Sequence, residues 1–164
     1  MIQKKICLLG GFSVGKTSLI KRYVSSIFDD KYLTTVGVKI DKKQVAVDDK
    51  TVNLMIWDLA GEDDFCKLKA SYLRGASGYI LVIDPTRPNT LETALKMHDK
   101  SVSVLGDVPV IVALNKYDLY DDWLLTDQHF EQLNQLNLPL LNTSAKNGDA
   151  VETLFTQLSK NMLG

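Results

Sequence analysis

Gly10-Gly11-Phe12-Ser13-Val14-Gly15-Lys16-Thr17 matches GxxxxGK[ST], and its flanks decide how it reads. Lys5 to Leu9 is a short apolar run with the length of a buried strand. Thr17 to Val24 places Leu19, Ile20 and Val24 at helical spacing. The glycine-rich turn therefore joins a strand to a helix N-terminus, where free backbone N–H groups and the helix dipole attract an anion. Gly10 and Gly15 permit a close backbone approach that a Cβ would block. Lys16 supplies positive charge for the β- and γ-phosphates, and the Thr17 hydroxyl can ligate Mg²⁺. Gly11, Phe12, Ser13, Val14 and Gly15, with Lys16, Thr17 and Ser18, make up the expected cradle for a nucleoside triphosphate.

The rest of the chain continues the same rhythm. Apolar segments alternate with helical patterns, which is the signature of a sheet covered on both faces. Val38 to Val47 and Thr51 to Trp57 read as strands joined by a tight turn at Asp48-Asp49-Lys50. Gly78 to Asp84, Val108 to Asn115 and Leu138 to Thr143 supply three more. Helices are expected over Thr90 to Leu105, Thr126 to Leu136 and Asp149 to Met162, the last opened by Asp149 and Glu152 in capping-box spacing. The fold class is α/β, a P-loop NTPase fold with a six-stranded, mostly parallel sheet, one antiparallel edge strand and helices on both faces.

Composition bounds the answer further. With 164 residues and 45% hydrophobic content, residues 1–164 fit one domain. A net charge of -1 argues against bulk binding to nucleic acid or to an anionic membrane, since either partner usually needs a basic surface. No run approaches the roughly 18 apolar residues of a membrane span. The start carries neither a signal peptide nor a myristoylation glycine, so the expected location is cytoplasmic. Of the two cysteines, Cys7 is expected inside the sheet, and nothing near Cys66 indicates a metal or redox site.

Three further motifs begin at predicted strand ends: Asp58-Leu59-Ala60-Gly61, Asn115-Lys116-Tyr117-Asp118 and Ser144-Ala145-Lys146. That edge is where open α/β sheets bind ligands. Asp58 would hold Mg²⁺ through a water, and the Gly61 amide could bond a γ-phosphate. Asp118 can accept two hydrogen bonds, matching the N1–H and 2-amino donors of guanine, whereas adenine presents a lone pair at N1. The base is therefore read as guanine, with rejection of the wrong base on the order of 10⁴-fold from unsatisfied polar groups. Asn115 is expected to tie this loop to the phosphate loop, Lys116 to lay its stem along the base, and the Ala145 amide to donate to O6.

With these motifs in order, the sequence resembles the Ras superfamily of small GTPases over nearly its whole length, and the Rab branch most. Phe28 stands where the family sets an aromatic edge against guanine, and Thr34-Thr35-Val36-Gly37-Val38 is similar to switch I. Ile56-Trp57-Asp58 and Ser71-Tyr72-Leu73-Arg74-Gly75-Ala76 are also Rab-like. The resemblance implies GTP and GDP as ligands, and Mg²⁺ held by Thr17, Thr35 and Asp58. It assigns catalytic roles to Lys16, Thr35, Gly61 and the residue after it, Glu62. An effector, an exchange factor and a GTPase-activating protein would read the switch regions, with Ile40, Trp57 and Tyr72 as apolar contact surface. A plain core role is the alternative for Ile40. His98 and His129 receive surface or packing roles, Tyr117 is the variable position of its motif with no chemistry assigned, and Lys42-Lys43 reads as an exposed pair protecting an edge strand.

Two positions depart from the family pattern. Glu62 replaces the glutamine that orients the attacking water; a carboxylate cannot also donate to the transferring phosphoryl group, and Asp63 and Asp64 add negative charge. Phe12 replaces a small residue, where its ring either crowds the γ-phosphate region or turns outward. The expectation is a GTP-binding switch that hydrolyses slowly without a partner; the alternative is a GTP-binding interaction module with little or no hydrolysis. Lys160-Asn161-Met162-Leu163-Gly164 lacks the terminal cysteines that carry prenyl groups in most Ras and Rab proteins, so no lipid anchor is expected on this sequence. A truncated chain, a non-prenylated relative such as the prokaryotic Ras-like GTPases, and a domain of a larger protein all accommodate that ending. The oligomeric state is not legible.

Overall fold

The computed structural model describes residues 2–24, 38–59 and 70–164. Six strands form one sheet: β1 Ile2–Leu9, β2 Lys39–Val47, β3 Lys50–Asp58, β4 Ala76–Ile83, β5 Val110–Leu114 and β6 Leu140–Asn142. Their order across the sheet is β2-β3-β1-β4-β5-β6. Every pairing is parallel except β2 with β3, so the antiparallel strand lies at one edge as expected. Val47 pairs with Lys50, which leaves Asp48 and Asp49 as a two-residue turn, one residue tighter than the sequence reading. Asp48 supplies the positive φ of 54° that such a turn uses.

Strand alternation divides the core into two layers. On β1, Ile6 and Leu8 enter one layer with Leu19, Ile20 and Tyr23 of α1 (Lys16–Val24) and Leu154, Phe155 and Leu158 of α5 (Val151–Leu163). Cys7 and Leu9 enter the other, with Leu73 of α2 (Ala70–Leu73), Leu91, Ala94 and Met97 of α3 (Asn89–Leu105), and Leu133 of α4 (Asp127–Gln135). Period-two burial thus gives the central strand two apolar faces, which is why it reads as a continuous apolar run. The Tyr23 and Phe155 rings stack with centroids 4.0 Å apart and 5° between planes, locking α1 to α5.

Three local expectations are corrected. Asp149 and Glu152 form no capping box: α5 begins after Ala150, which has a φ of 57° and no side-chain cap. The Asp149 carbonyl instead accepts from the Ser144 amide, drawing Asp149 into the preceding turn. The capping box occurs at α4, where Thr126 Oγ1 accepts from the His129 amide and His129 Nδ1 accepts from the Thr126 amide. Lys43 is not an exposed edge charge; its Nζ lies 3.9 Å from the Tyr23 ring centroid and donates to the Tyr23 carbonyl at 2.5 Å. β1 also begins three residues early, at Ile2, because Ile2, Gln3 and Lys4 pair with Val52, Asn53 and Leu54 of β3. His98 has the packing role expected of it, hydrogen-bonded to the buried Tyr79 hydroxyl at 2.8 Å. A short 3-10 turn, Tyr117–Asp122, follows β5 and carries no periodicity long enough to be read from sequence.

Candidate nucleotide site

All the strand-end motifs within the described residues converge on one edge. Lys16 lies at the start of α1, behind β1; Asp58 ends β3; Asn115 follows β5; Thr143, Ser144 and Ala145 follow β6. The loop between β1 and α1 curls so tightly that Ser13 takes a φ of 59° and Gly15 one of 105°. A Cβ on Gly15 would collide with Asn115 Nδ2, and one on Gly10 would stand 2.5 Å from the Val82 carbonyl oxygen. Both glycines are required by close approach, as their place in the motif implied.

Lys16 is almost fully buried, and its ammonium donates to the Gly10 carbonyl at 2.7 Å and the Gly11 carbonyl at 2.9 Å. Burial lowers its pKa from 10.5 to about 8; Asp58 opposes the shift and Arg87 adds to it. The lysine is thus a charge folded inward over the loop, where an anion seated in the cradle would find it already desolvated. Thr17 Oγ1 donates to Asp58 Oδ2 at 2.5 Å, with Asp58 itself buried. A hydroxyl and a carboxylate held together beside a buried lysine are the hard oxygen donors that suit Mg²⁺. Among the described residues, Thr17 and Asp58 therefore fit the expected metal position.

On the base side, Asn115 Nδ2 donates to the Val14 carbonyl at 2.9 Å, and its Oδ1 accepts from Thr143 Oγ1 at 3.1 Å. The expected tie between the two loops is present. Asp118 Oδ1 accepts from Ser144 Oγ at 2.8 Å, which orients the carboxylate and joins the second and third motifs. Lys116 adopts a φ of 63°, and its Nζ reaches the Ser13 carbonyl at 3.1 Å and Asp84 Oδ2 at 2.8 Å. Trp123 Nε1 donates to the Lys116 carbonyl at 3.0 Å and pins that turn. Lys146 is exposed beside Ala145.

Asp84 was missed as a site residue. It is fully buried at the end of β4 and gathers the amide and hydroxyl of Thr86, the Arg87 Nε and the Lys116 ammonium. Burial alone would raise its pKa, but the donated hydrogen bonds outweigh that and hold it below the ordinary value. Arg87 then extends Nη2 to the Phe12 carbonyl at 2.6 Å. One carboxylate thus aims two cations at successive carbonyls of the phosphate loop. The available signal was a lone acid directly after the apolar run of β4, at the same edge as Asp58 and Asn115. Arg87 offered no signal.

The Phe12 residue is 61% exposed. Ile40 is exposed on β2 opposite its pairing partner Trp57, and Trp57 and Tyr72 are half-buried against the second core layer. The core alternative for Ile40 is set aside by this exposure. Lys5 Nζ lies 3.7 Å from the Trp57 ring centroid. Phe28, Thr35, Gly61 and Glu62, with Asp63, Asp64 and Cys66, lie outside the described residues.

A phosphate loop, a buried lysine, a Thr–Asp pair and a base-side Asn–Asp pair on one parallel-sheet edge define the class of nucleotide-binding α/β proteins. The chain belongs to the Ras family, whose model matches residues 5–164. It is 35% identical to Ras-related protein Rab7 of Drosophila melanogaster over 165 residues, spanning 97% of this chain and 80% of that protein. Proteins of this family bind guanine nucleotides with Mg²⁺ and act as GTP-dependent switches with GTPase activity, and this chain is a member of that class. No helix of the described residues is long and apolar enough to cross a membrane.

Proposed function

We propose that residues 1–164 are a single cytoplasmic G domain that hydrolyses GTP to GDP and phosphate slowly unless a partner assists. The observation that carries the guanine reading is the tie from Ser144 to Asp118, which leaves a fixed carboxylate beside the loop that Asn115 fastens to Val14. Asp118 would accept from guanine N1–H and the 2-amino group, the Ala145 amide would donate to O6, and Phe28 would flank the ring. Gly11 to Ser18 would enclose the phosphates, with Lys146 and Lys116 at the base end. Thr17, Thr35 and Asp58 would hold Mg²⁺, which when bound neutralises charge on the β- and γ-phosphate oxygens.

Hydrolysis would form a bond from water oxygen to the γ-phosphorus and break the bond to the β–γ bridging oxygen. Lys16 stabilises negative charge developing on the transferring group, and the Thr35 and Gly61 amides orient it. Glu62 can accept a proton-bearing bond from water but has no donor for the phosphoryl oxygens, and its charge opposes theirs. Phe12, exposed on the phosphate loop, would obstruct a partner's group entering above the γ-phosphate. Ile40, Trp57 and Tyr72 serve as the surface through which an effector, exchange factor or activating protein senses the nucleotide.

Single-turnover GTP hydrolysis by the purified, nucleotide-exchanged protein with Mg²⁺, compared with Glu62→Gln, tests this. Slow wild-type turnover that glutamine accelerates supports the reading. Wild-type turnover as fast as a partner-stimulated GTPase, or slowing by glutamine, would overturn it. No release of phosphate in either protein would favour a GTP-binding interaction module.

A further inference from the structure

The 3-10 turn after β5 displays an apolar surface that the nucleotide site does not use. Tyr120 is 58% and Leu124 61% exposed, and Tyr117 and Leu119 are exposed beside them. These side chains are not loosely displayed. The Tyr120 ring packs 4.9 Å from Trp123 and 5.6 Å from Tyr117, centroid to centroid, and Trp123 is anchored in the second core layer. The Leu124 amide donates to the Pro85 carbonyl at 2.8 Å, fixing the end of the turn. Presenting rigid aromatic and aliphatic groups costs little ordering on association, as at interface anchors.

The stretch of chain that carries this surface is acidic. From residue 117 to residue 145 the chain carries Asp118, Asp121, Asp122, Asp127 and Glu131 and contains no lysine or arginine. Asp121 and Asp122 lie exposed within the same turn as Tyr120. The neighbouring Lys116 and Arg87 side chains are both bonded to the buried Asp84 and to carbonyls of the phosphate loop.

We propose that this turn is a docking surface for a basic amphipathic segment of a partner protein. The partner's apolar residues would cover Tyr120 and Leu124, and its lysines or arginines would face Asp121 and Asp122. Like charge disfavours a second copy of this surface as the occupant, and it disfavours an anionic membrane. The site lies beyond β5, on the opposite side of the sheet order from the edge strand β2 that carries Ile40. A partner bound here leaves that edge free.

The test is titration of the ¹⁵N-labelled protein with a synthetic leucine–lysine amphipathic helix and a matched leucine–glutamate helix. The basic peptide should shift amide signals of residues 117–125 while the acidic one does not, with affinity falling as salt is raised. Leu124→Ser, and separately the pair Asp121→Lys and Asp122→Lys, should each weaken binding about tenfold or more. All are exposed positions, and preserved signal dispersion elsewhere verifies folding. Equal binding of both peptides, shifts mapping elsewhere, or indifference to the substitutions would overturn the proposal. So would self-association in sedimentation velocity that Leu124→Ser abolishes, or binding to phosphatidylserine vesicles through this turn.

Discussion

Asn115 donates its Nδ2 to the Val14 carbonyl at 2.9 Å across 101 positions of sequence, so the end of β5 holds the phosphate loop from behind. Both atoms are buried, and Thr143 completes the amide's pairing. Asn115→Ala removes both bonds and leaves the Val14 carbonyl and the Thr143 hydroxyl without partners. The expected loss is about 2–3 kcal/mol of stability, with at least tenfold faster release of a fluorescent GDP analogue. Urea unfolding and stopped-flow dissociation measure the two effects.

Gly15 faces that same amide. Gly15→Ala places a methyl group against Asn115 Nδ2 and forces a side chain onto a φ of 105°. A destabilisation of about 1–3 kcal/mol is expected from the backbone strain alone, with the collision adding to it. Combined with Asn115→Ala, the collision disappears and the strain remains. The double mutant should therefore be less destabilised than the sum of the singles, which a double-mutant cycle reads directly.

Asp84 organises Lys116 and Arg87 from a fully buried position. Asp84→Ala should cost about 2 kcal/mol, because the Thr86 amide and hydroxyl lose their acceptor, while the partly exposed cations regain water and keep the loss below that of a fully buried pair. Asp84→Asn keeps the shape and should lose less. The lowered pKa gives the sign of the acid dependence: the folded state releases the proton more readily, so the carboxylate's contribution is full above the ordinary value of 3.8. The wild-type advantage over Asp84→Asn should shrink as pH falls below that point, measured by thermal unfolding from pH 6 to about pH 3.

Cys7 is the converse case. Burial pushes its thiol from 9.0 up to about 12, with nearby Lys5 opposing weakly. The folded chain keeps the proton that the unfolded chain sheds, so stability is full below pH 9 and falls as pH rises. Relative to Cys7→Ala, the wild type should lose about 1.4 kcal/mol for each pH unit above that point. Chemical unfolding of both proteins from pH 8 to about pH 11 isolates the thiol from the tyrosines and lysines titrating alongside it.

Much of this molecule was readable in one dimension. The phosphate loop announced itself because strand, glycine turn and helix are adjacent in the chain, and local dihedral demands leave a local signature. The antiparallel edge followed from the tight Asp48-Asp49-Lys50 turn read between two strands, and the parallel remainder from the alternation of apolar runs with helical patterns. The guanine-side motif was legible because Asp118 and Asn115 lie three residues apart on one loop. The α5 cap misled: Asp149 and Glu152 have the right spacing, but a hydrogen bond from Ser144 claims the Asp149 backbone first.

By itself the sequence determined the sheet, its order of elements and the strand ends where chemistry gathers, since periodicity and glycine placement act over a few residues. Only the tertiary structure decided which groups meet. Asp84 became a hub because β4 pairs with β5, bringing Lys116 from 32 positions further along the chain to the carboxylate that already holds Arg87. The Asn115–Val14 tie and the acidic aromatic turn likewise depend on through-space packing, where burial and charge are set by neighbours that no local pattern names.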